Sequence, residues 1–264
     1  MSINFSKILG IDEVYCISMQ KNKANWDNIL KNITSNGFPN CGIFEAINGS
    51  QYSDKNLENM VGIWERYILK NNLDRTNHEQ FNKFGALGCY MSHVSIWQDA
   101  KAKGHKKILV LEDDIEFENN FIEELKNRIQ YIPEDYDVLF LDVLKCYKSQ
   151  AVNKYFKKII TLFFGTHSYI ITSSAIDSML KNVFPIELQI DSYMAYSGNV
   201  SNLSMYYAEK LCNQKLHLSA IQSFCLTCDN KHDILISPYV TLLLISALIV
   251  CMVVIYSMST KSTQ

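Results

Sequence analysis

The sequence predicts an α/β protein with a mainly parallel central sheet, followed by one carboxyl-terminal transmembrane helix. Three observations predict it. Apolar, strand-like runs alternate with stretches of helical spacing. Ile108-Leu109-Val110-Leu111 is continuously apolar, the mark of a strand covered on both faces. From Ile234 to Thr260 no residue carries a charge, a run longer than the ~20 residues that span a bilayer core. The 264 residues are 48% hydrophobic and 20% charged, which suits a sizeable core and excludes disordered or fibrous classes. Lys and Arg total 25 against 27 Asp and Glu, with no long basic run to neutralise phosphates, so nucleic acid is not an expected partner.

The elements follow in order. Glu13 to Met19 alternates as a strand, and the polar stretch Gln20 to Asn25 leads into a helix through Trp26, Ile29, Leu30 and Ile33. Gly37-Phe38-Pro39-Asn40 marks a turn before a second short strand, Cys41 to Ile47, which Asn48-Gly49 closes. Gln51 to Phe84 is more polar, with a helical patch from Leu57 to Leu69, and is expected to be an insertion or covering loop. Gly85 to about Ala102 has the spacing of a buried helix ended by Lys103-Gly104-His105. The strand Ile108–Leu111 follows, then a helix over Glu118 to Tyr131 that Pro133 breaks, then a strand over Asp137 to Asp142. Lys158 to Phe164 and Ser168 to Thr172 are two further expected strands, followed by a helix from Ser173 to about Asn182.

The expected organisation is one domain over 1–233, a transmembrane helix over 234–257 and a short polar tail over 258–264. Tyr239 and Tyr256 flank the apolar block as interfacial rings, and Lys261 stops it. The amino terminus lacks the basic segment and apolar stretch of a secretory signal, so a tail anchor with the large domain in the cytosol is expected. The eight cysteines are scattered and form no disulfide framework, and the Asn-x-Ser/Thr matches at Asn32, Asn48, Asn199 and Asn202 are chance expectations. His217, Cys225, Cys228 and His232 contain one Cys-x-x-Cys pair, half of many zinc sites, at unusual spacing to the histidines.

Chemistry concentrates after the covered strand, at Glu112-Asp113-Asp114. Ligands of open α/β sheets collect outside the carboxyl ends of strands. Three adjacent carboxylates repel one another unless they stay solvated or a cation compensates them. Hard divalent ions take such oxygen ligands, often together with substrate phosphates.

The segments around this cluster resemble glycosyltransferase family 25, the group that includes bacterial lipooligosaccharide sugar transferases and collagen galactosyltransferases. The likeness runs in order from about residue 13 to 225. It comprises Val14-Tyr15-Cys16-Ile17-Ser18-Met19, Ala46-Ile47-Asn48-Gly49, Gly85-Ala86-Leu87-Gly88-Cys89 with Ser92-His93 and Trp97, and Val110-Leu111-Glu112-Asp113-Asp114. Tyr136 to Leu141, Gly165-Thr166-His167-Ser168-Tyr169 and Ile190-Asp191 continue it. The resemblance implies a GT-A type nucleotide-sugar fold, a uridine-diphosphate-sugar donor, inversion at the anomeric carbon and a divalent metal, manganese ahead of magnesium. It implies that Asp113 and Asp114, helped by Glu112, bridge metal and diphosphate, and that Ser92 and His93 line the donor site. The family's first strand usually carries Asn-Leu with an Arg some residues later. This chain has Ser18-Met19 and no Arg before Met60, leaving Lys21 or Lys23 as point-charge substitutes.

Inversion needs a base for the acceptor hydroxyl. Asp191 is the candidate, with the N-cap of the following helix as its alternative role, and Glu187 is the reserve. His167 binds donor phosphate or metal, or else is a structural residue of its Gly-Thr-His-Ser turn. His93 on its apolar helix is a donor-site residue or a satisfied buried histidine. The expected activity is transfer of a hexose, galactose or glucose, to a hydroxyl of a glycan or protein. The alternatives are a membrane-tethered adhesion or scaffolding module that has lost catalysis, and a metal-dependent phosphohydrolase or nuclease.

Overall fold

A computed structural model describes residues 3–75 and 77–215. In chain order its elements begin with α1 (Phe5–Leu9), β1 (Glu13–Ser18), a 3-10 turn over Gln20–Asn25, α2 (Trp26–Ser35) and β2 (Cys41–Glu45). Next come α3 (Asp54–Met60), α4 (Ile63–Asn71), α5 (Phe84–Lys103), β3 (Lys107–Glu112), β4 (Ile115–Phe117), α6 (Phe121–Arg128) and β5 (Val138–Phe140). The rest are β6 (Lys145–Cys146), β7 (Ser149–Ala151), β8 (Phe156–Ile159), β9 (Phe163–Phe164), β10 (Ser168–Thr172), α7 (Ser173–Met179), α8 (Ile190–Val200), β11 (Met205–Ala208) and β12 (Cys212–Gln214).

Eight strands form one sheet in the order β2-β1-β3-β10-β5-β11-β8-β7. All run the same way except β10 and β8, so the sheet is mainly parallel in strand direction although four of its seven pairings are antiparallel. Side chains alternate between two cores. Tyr15, Ile17, Val110, Phe140, Tyr169 and Ile171 face α5, α7 and α8, where Trp97, Ile176 and Met194 meet them. Val14, Cys16, Leu109, Leu111, Leu139 and Ile170 face the opposite layer, with Phe5, Ile33, Phe121 and Leu125. Both faces are thus covered, which is why Ile108–Leu111 is apolar without alternation.

Most expected strands and helices appear within a residue or two of their expected ends. Two expectations are corrected. The patch from Leu57 to Leu69 is two helices, because Val61 is extended (φ −116°, ψ 137°) and bridges to Ile186. Lys158 to Phe164 is not one strand: β8 stays in the main sheet, while β9 leaves it to pair with β6. The strand Ser168–Thr172 is present as expected, as β10, and it runs antiparallel to both neighbours.

Residues Arg75–His78 group with the stretch from Phe224 onward as a second unit, of which only Arg75, Asn77 and His78 are described. Among the described residues no helix is long and apolar enough to cross a membrane. The expected transmembrane helix, the polar tail, the domain boundary at 233 and the Cys225/Cys228 constellation lie outside the described residues.

Candidate active site

A cleft of about 1230 Å³ opens at the carboxyl ends of β1 and β3, lined among others by Ser18, Asn22, His93, Glu112, Asp113 and Asp191. Strand direction explains what meets there. β3 runs parallel to β1, with Glu112 opposite Ile17, so the acidic cluster leaves the sheet beside Ser18. β10 is reversed, which brings the residues that precede it, Gly165, Thr166 and His167, to the same edge, and the Glu112 amide donates to the His167 carbonyl at 3.0 Å. β12 pairs with β4 and places Gln214 beside Asp114.

The three carboxylates have different surroundings. Glu112 Oε1 accepts from the Thr166 hydroxyl at 3.0 Å and lies 3.5 Å from His93 Nε2. Burial pushes its pKa up, but His93, His167 and Thr166 outweigh burial and hold it below the ordinary carboxylate value. Asp113 Oδ2 accepts from Ser18 Oγ and Asn22 Nδ2, each at 2.6 Å. Asp114 Oδ2 accepts from Gln214 Nε2 at 2.9 Å, while its Oδ1 is buried with no hydrogen-bond partner. Burial and the neighbouring charges of Glu112 and Asp113 raise Asp114 to about 6. A buried carboxylate oxygen without a donor is a costly arrangement that a cation relieves. The oxygen-only set of Asp113 and Asp114 therefore fits a hard divalent ion such as manganese or magnesium.

Asp191 lines the same cleft from the first turn of α8. The helix N-cap is Gln189, so the capping alternative for Asp191 does not hold. Its Oδ1 accepts from the Ser192 amide at 2.7 Å and its Oδ2 faces the Gly165 amide at 3.4 Å. Burial, to 9% exposure, raises it to about 6. Gly165 adjoins Thr166, which holds Glu112, so one loop links the two carboxylates. Glu187 is exposed, packs beside Gly62 and does not line the cleft.

Ser92, although at the cleft wall, is fully buried and already engaged. Its hydroxyl donates to the Gly88 carbonyl at 2.7 Å and accepts from the Ile47 amide at 2.9 Å. It thereby fastens the Ala46–Gly49 turn to α5. The glycines of both motifs serve the same contact: a Cβ on Gly88 would meet Ile47 O at 2.3 Å, and one on Gly49 would meet Phe84 O at 2.0 Å. His93 is buried, with Nδ1 2.9 Å from the Tyr169 hydroxyl, whose oxygen also accepts from Trp97 Nε1 at 3.1 Å. His167 is buried with neither ring nitrogen hydrogen-bonded, and burial lowers its pKa. It does not line the cleft.

Sequence reasoning missed Asn22, Thr166 and Gln214 as site residues. Thr166 stands within a motif quoted above. Asn22 and Gln214 carry no local signal and reach the acidic cluster only through the fold. Of the two lysines offered as substitutes for the absent arginine, Lys21 lines the cleft, whereas Lys23 sits over the Trp26 ring, 5.6 Å from its centroid.

Among solved structures the chain is similar to UDP-glucose pyrophosphorylase complexed with UDP-glucose, at 10% identity and a TM-score of 0.43, covering 77% of this chain and 92% of that one. Among curated proteins it is 28% identical over 134 residues to procollagen galactosyltransferase 2 of Mus musculus, covering 51% of this chain and 20% of that protein. It is 29% identical over 127 residues to a glycosyltransferase 25 family member of Aedes aegypti, covering 48% and 19%. It is also 27% identical over 136 residues to inactive glycosyltransferase 25 family member 3 of Homo sapiens, covering 50% and 22%. The chain thus spans about a fifth of the length of these relatives. The family described as glycosyltransferase family 25 (LPS biosynthesis protein) matches residues 11–194, well over half of the chain, and the chain belongs to that family.

Proposed function

We propose that this chain is a glycosyltransferase that moves a hexose, galactose or glucose, from a uridine diphosphate donor to a hydroxyl of a glycan or protein, with inversion, on a GT-A type fold. The observation that carries this reading is the carboxylate edge of β3, where Asp113 and Asp114 face a cleft large enough for a nucleotide sugar and Asp114 Oδ1 has no protein donor. Asp113 and Asp114 would hold manganese or magnesium, and the ion would supply positive charge to the departing diphosphate.

Asp191 takes the proton. With its pKa near 6 it is mostly ionised at neutral pH, yet basic enough to accept from a hydroxyl. The acceptor oxygen bonds to the anomeric carbon, the bond from that carbon to the diphosphate oxygen breaks with its electron pair, and the acceptor proton passes to Asp191. The Ser192 and Gly165 amides hold the Asp191 carboxylate in place. Thr166 and Gln214 fix Glu112 and Asp114, so the charged edge is preorganised before donor arrives. Glu187, outside the cleft, has no part in this step.

Incubating the full chain with a panel of uridine-diphosphate sugars and manganese tests the proposal by donor hydrolysis and by nucleotide binding in a thermal shift assay. If neither depends on the metal, the proposal fails. A second reading, a tethered module without turnover, is favoured by Asp113 Oδ2, which is already satisfied by Ser18 and Asn22. Donor binding with no hydrolysis or transfer would select it.

A further inference from the structure

At the base of the cleft lies a second donor set of different chemistry. Cys89 and His93 are one turn apart on α5, both turned toward the end of β3, and the ligand atoms of Cys89, His93 and Glu112 lie within 4.8 Å of one another. His93 is fully buried, and its Nε2 hydrogen-bonds to nothing although Glu112 Oε1 is 3.5 Å away. That separation matches two ligands of one tetrahedral ion, which with bonds of ~2.0–2.3 Å stand roughly 3.3–3.6 Å apart.

We propose that Cys89 Sγ, His93 Nε2 and Glu112 Oε1 form a binding site for one borderline-soft divalent ion, zinc before any other, with its fourth position open to the cleft. A sulfur, a nitrogen and an oxygen suit zinc, whereas manganese and magnesium prefer the oxygen-only pair Asp113 and Asp114. The two sites are therefore chemically separate, and this one stands whether or not the chain transfers sugars. Its supporting groups are in place. The Tyr169 oxygen meets His93 Nδ1 at 2.9 Å and can accept the ring proton that nitrogen carries when Nε2 is a ligand. Thr166 orients Glu112 through a 3.0 Å bond. All three ligands line the cleft, so an ion has a path in, and a water or an oxygen of bound substrate completes the tetrahedron. Burial and the charges of Glu112, Asp191 and Asp114 raise the Cys89 thiol well above its ordinary pKa. The ion-free thiol is thus protonated at neutral pH, and binding replaces the S–H bond by an S–metal bond and releases one proton to solvent.

The test uses the full chain carrying Cys225→Ser, Cys228→Ser and Cys251→Ser, so that the thiols beyond the described residues contribute nothing. Cobalt(II) stands in for zinc. One equivalent is expected to give a thiolate-to-cobalt charge-transfer band that zinc abolishes and excess manganese does not. Adding Cys89→Ser is expected to remove the band and to weaken cobalt affinity at least ~10-fold. In the same variant, manganese-dependent nucleotide binding reports separately on the Asp113/Asp114 site and on folding. A second measurement needs no variant at Cys89: its alkylation, followed by peptide mass spectrometry, should slow at least ~10-fold in zinc. No band, a band that survives Cys89→Ser, or alkylation indifferent to zinc overturns the proposal.

Discussion

Replacing Asp191 by Asn is expected to stabilise the protein at neutral pH while removing its activity. Burial raises Asp191 from an ordinary 3.8 to about 6. Between these values the folded chain binds more protons than the unfolded chain, so this group's contribution to stability falls as pH rises through the window. Above pH 7 the penalty is complete, at about 3 kcal/mol for a shift of about two units. Asn cannot ionise and escapes it. Its carbonyl can still accept from the Ser192 amide, but its amino group faces the Gly165 amide across the present 3.4 Å contact, a loss of about 0.5–1 kcal/mol. The variant should therefore gain about 2 kcal/mol at pH 7.5. At pH 4.5 the wild-type penalty shrinks to about 1 kcal/mol and the gain to nearly nothing. Urea unfolding of both proteins at the two pH values, with chelator present, measures this difference while other titrating groups cancel. On the function side, kcat should fall by ~100-fold or more with nucleotide binding unchanged, and wild-type kcat/KM should decline below about pH 6. A variant that is less stable at pH 7.5, or equally shifted at both pH values, would refute the assignment of a buried, raised carboxylate to this position.

Gly88→Ala should destabilise by about 1–3 kcal/mol and weaken nucleotide binding, because its Cβ meets Ile47 O at 2.3 Å and pushes the Ala46–Gly49 turn from the cleft wall; urea unfolding and a binding titration check it. Ser92→Ala leaves the Ile47 amide without its buried acceptor and should lose about 1–3 kcal/mol by the same unfolding measurement. Asp113→Asn keeps a carbonyl oxygen for Ser18 and Asn22, so its melting temperature should hold while manganese-dependent nucleotide affinity drops at least ~10-fold in a thermal shift titration. The uncharged run Ile234–Thr260 is expected to keep the full chain in the membrane pellet after alkaline carbonate extraction, and release of the chain into the supernatant would remove the anchor.

Several of these residues were visible in the sequence for physical reasons. A short apolar run without alternation suits a strand buried on both faces, and carboxylates directly after such a strand stand at its carboxyl end. The glycines at 49 and 88 and the hydroxyl at 92 were visible as motif residues, but not in their structural role, because a close backbone approach involves a partner 35 or more residues away. Ser92 was expected to line the donor site; it lies at the cleft wall, and its hydroxyl binds two backbone groups there.

What the sequence by itself determined is the layered α/β class, the address of Glu112-Asp113-Asp114 and the family, since periodicity, apolar continuity and ordered motifs are local properties. What only the tertiary structure decided is which groups converge on that address. The reversal of β10 delivers Thr166, the pairing of β12 with β4 delivers Gln214, and the first turn of α8 delivers Asp191. Strand direction and partner choice arise from long-range packing against both faces of the sheet, and no window of neighbouring residues encodes them. The separation of the cluster into an oxygen-only pair at Asp113 and Asp114 and a mixed set at Cys89, His93 and Glu112 has the same origin. It exists only because α5 packs its Cys89 and His93 face against the end of β3.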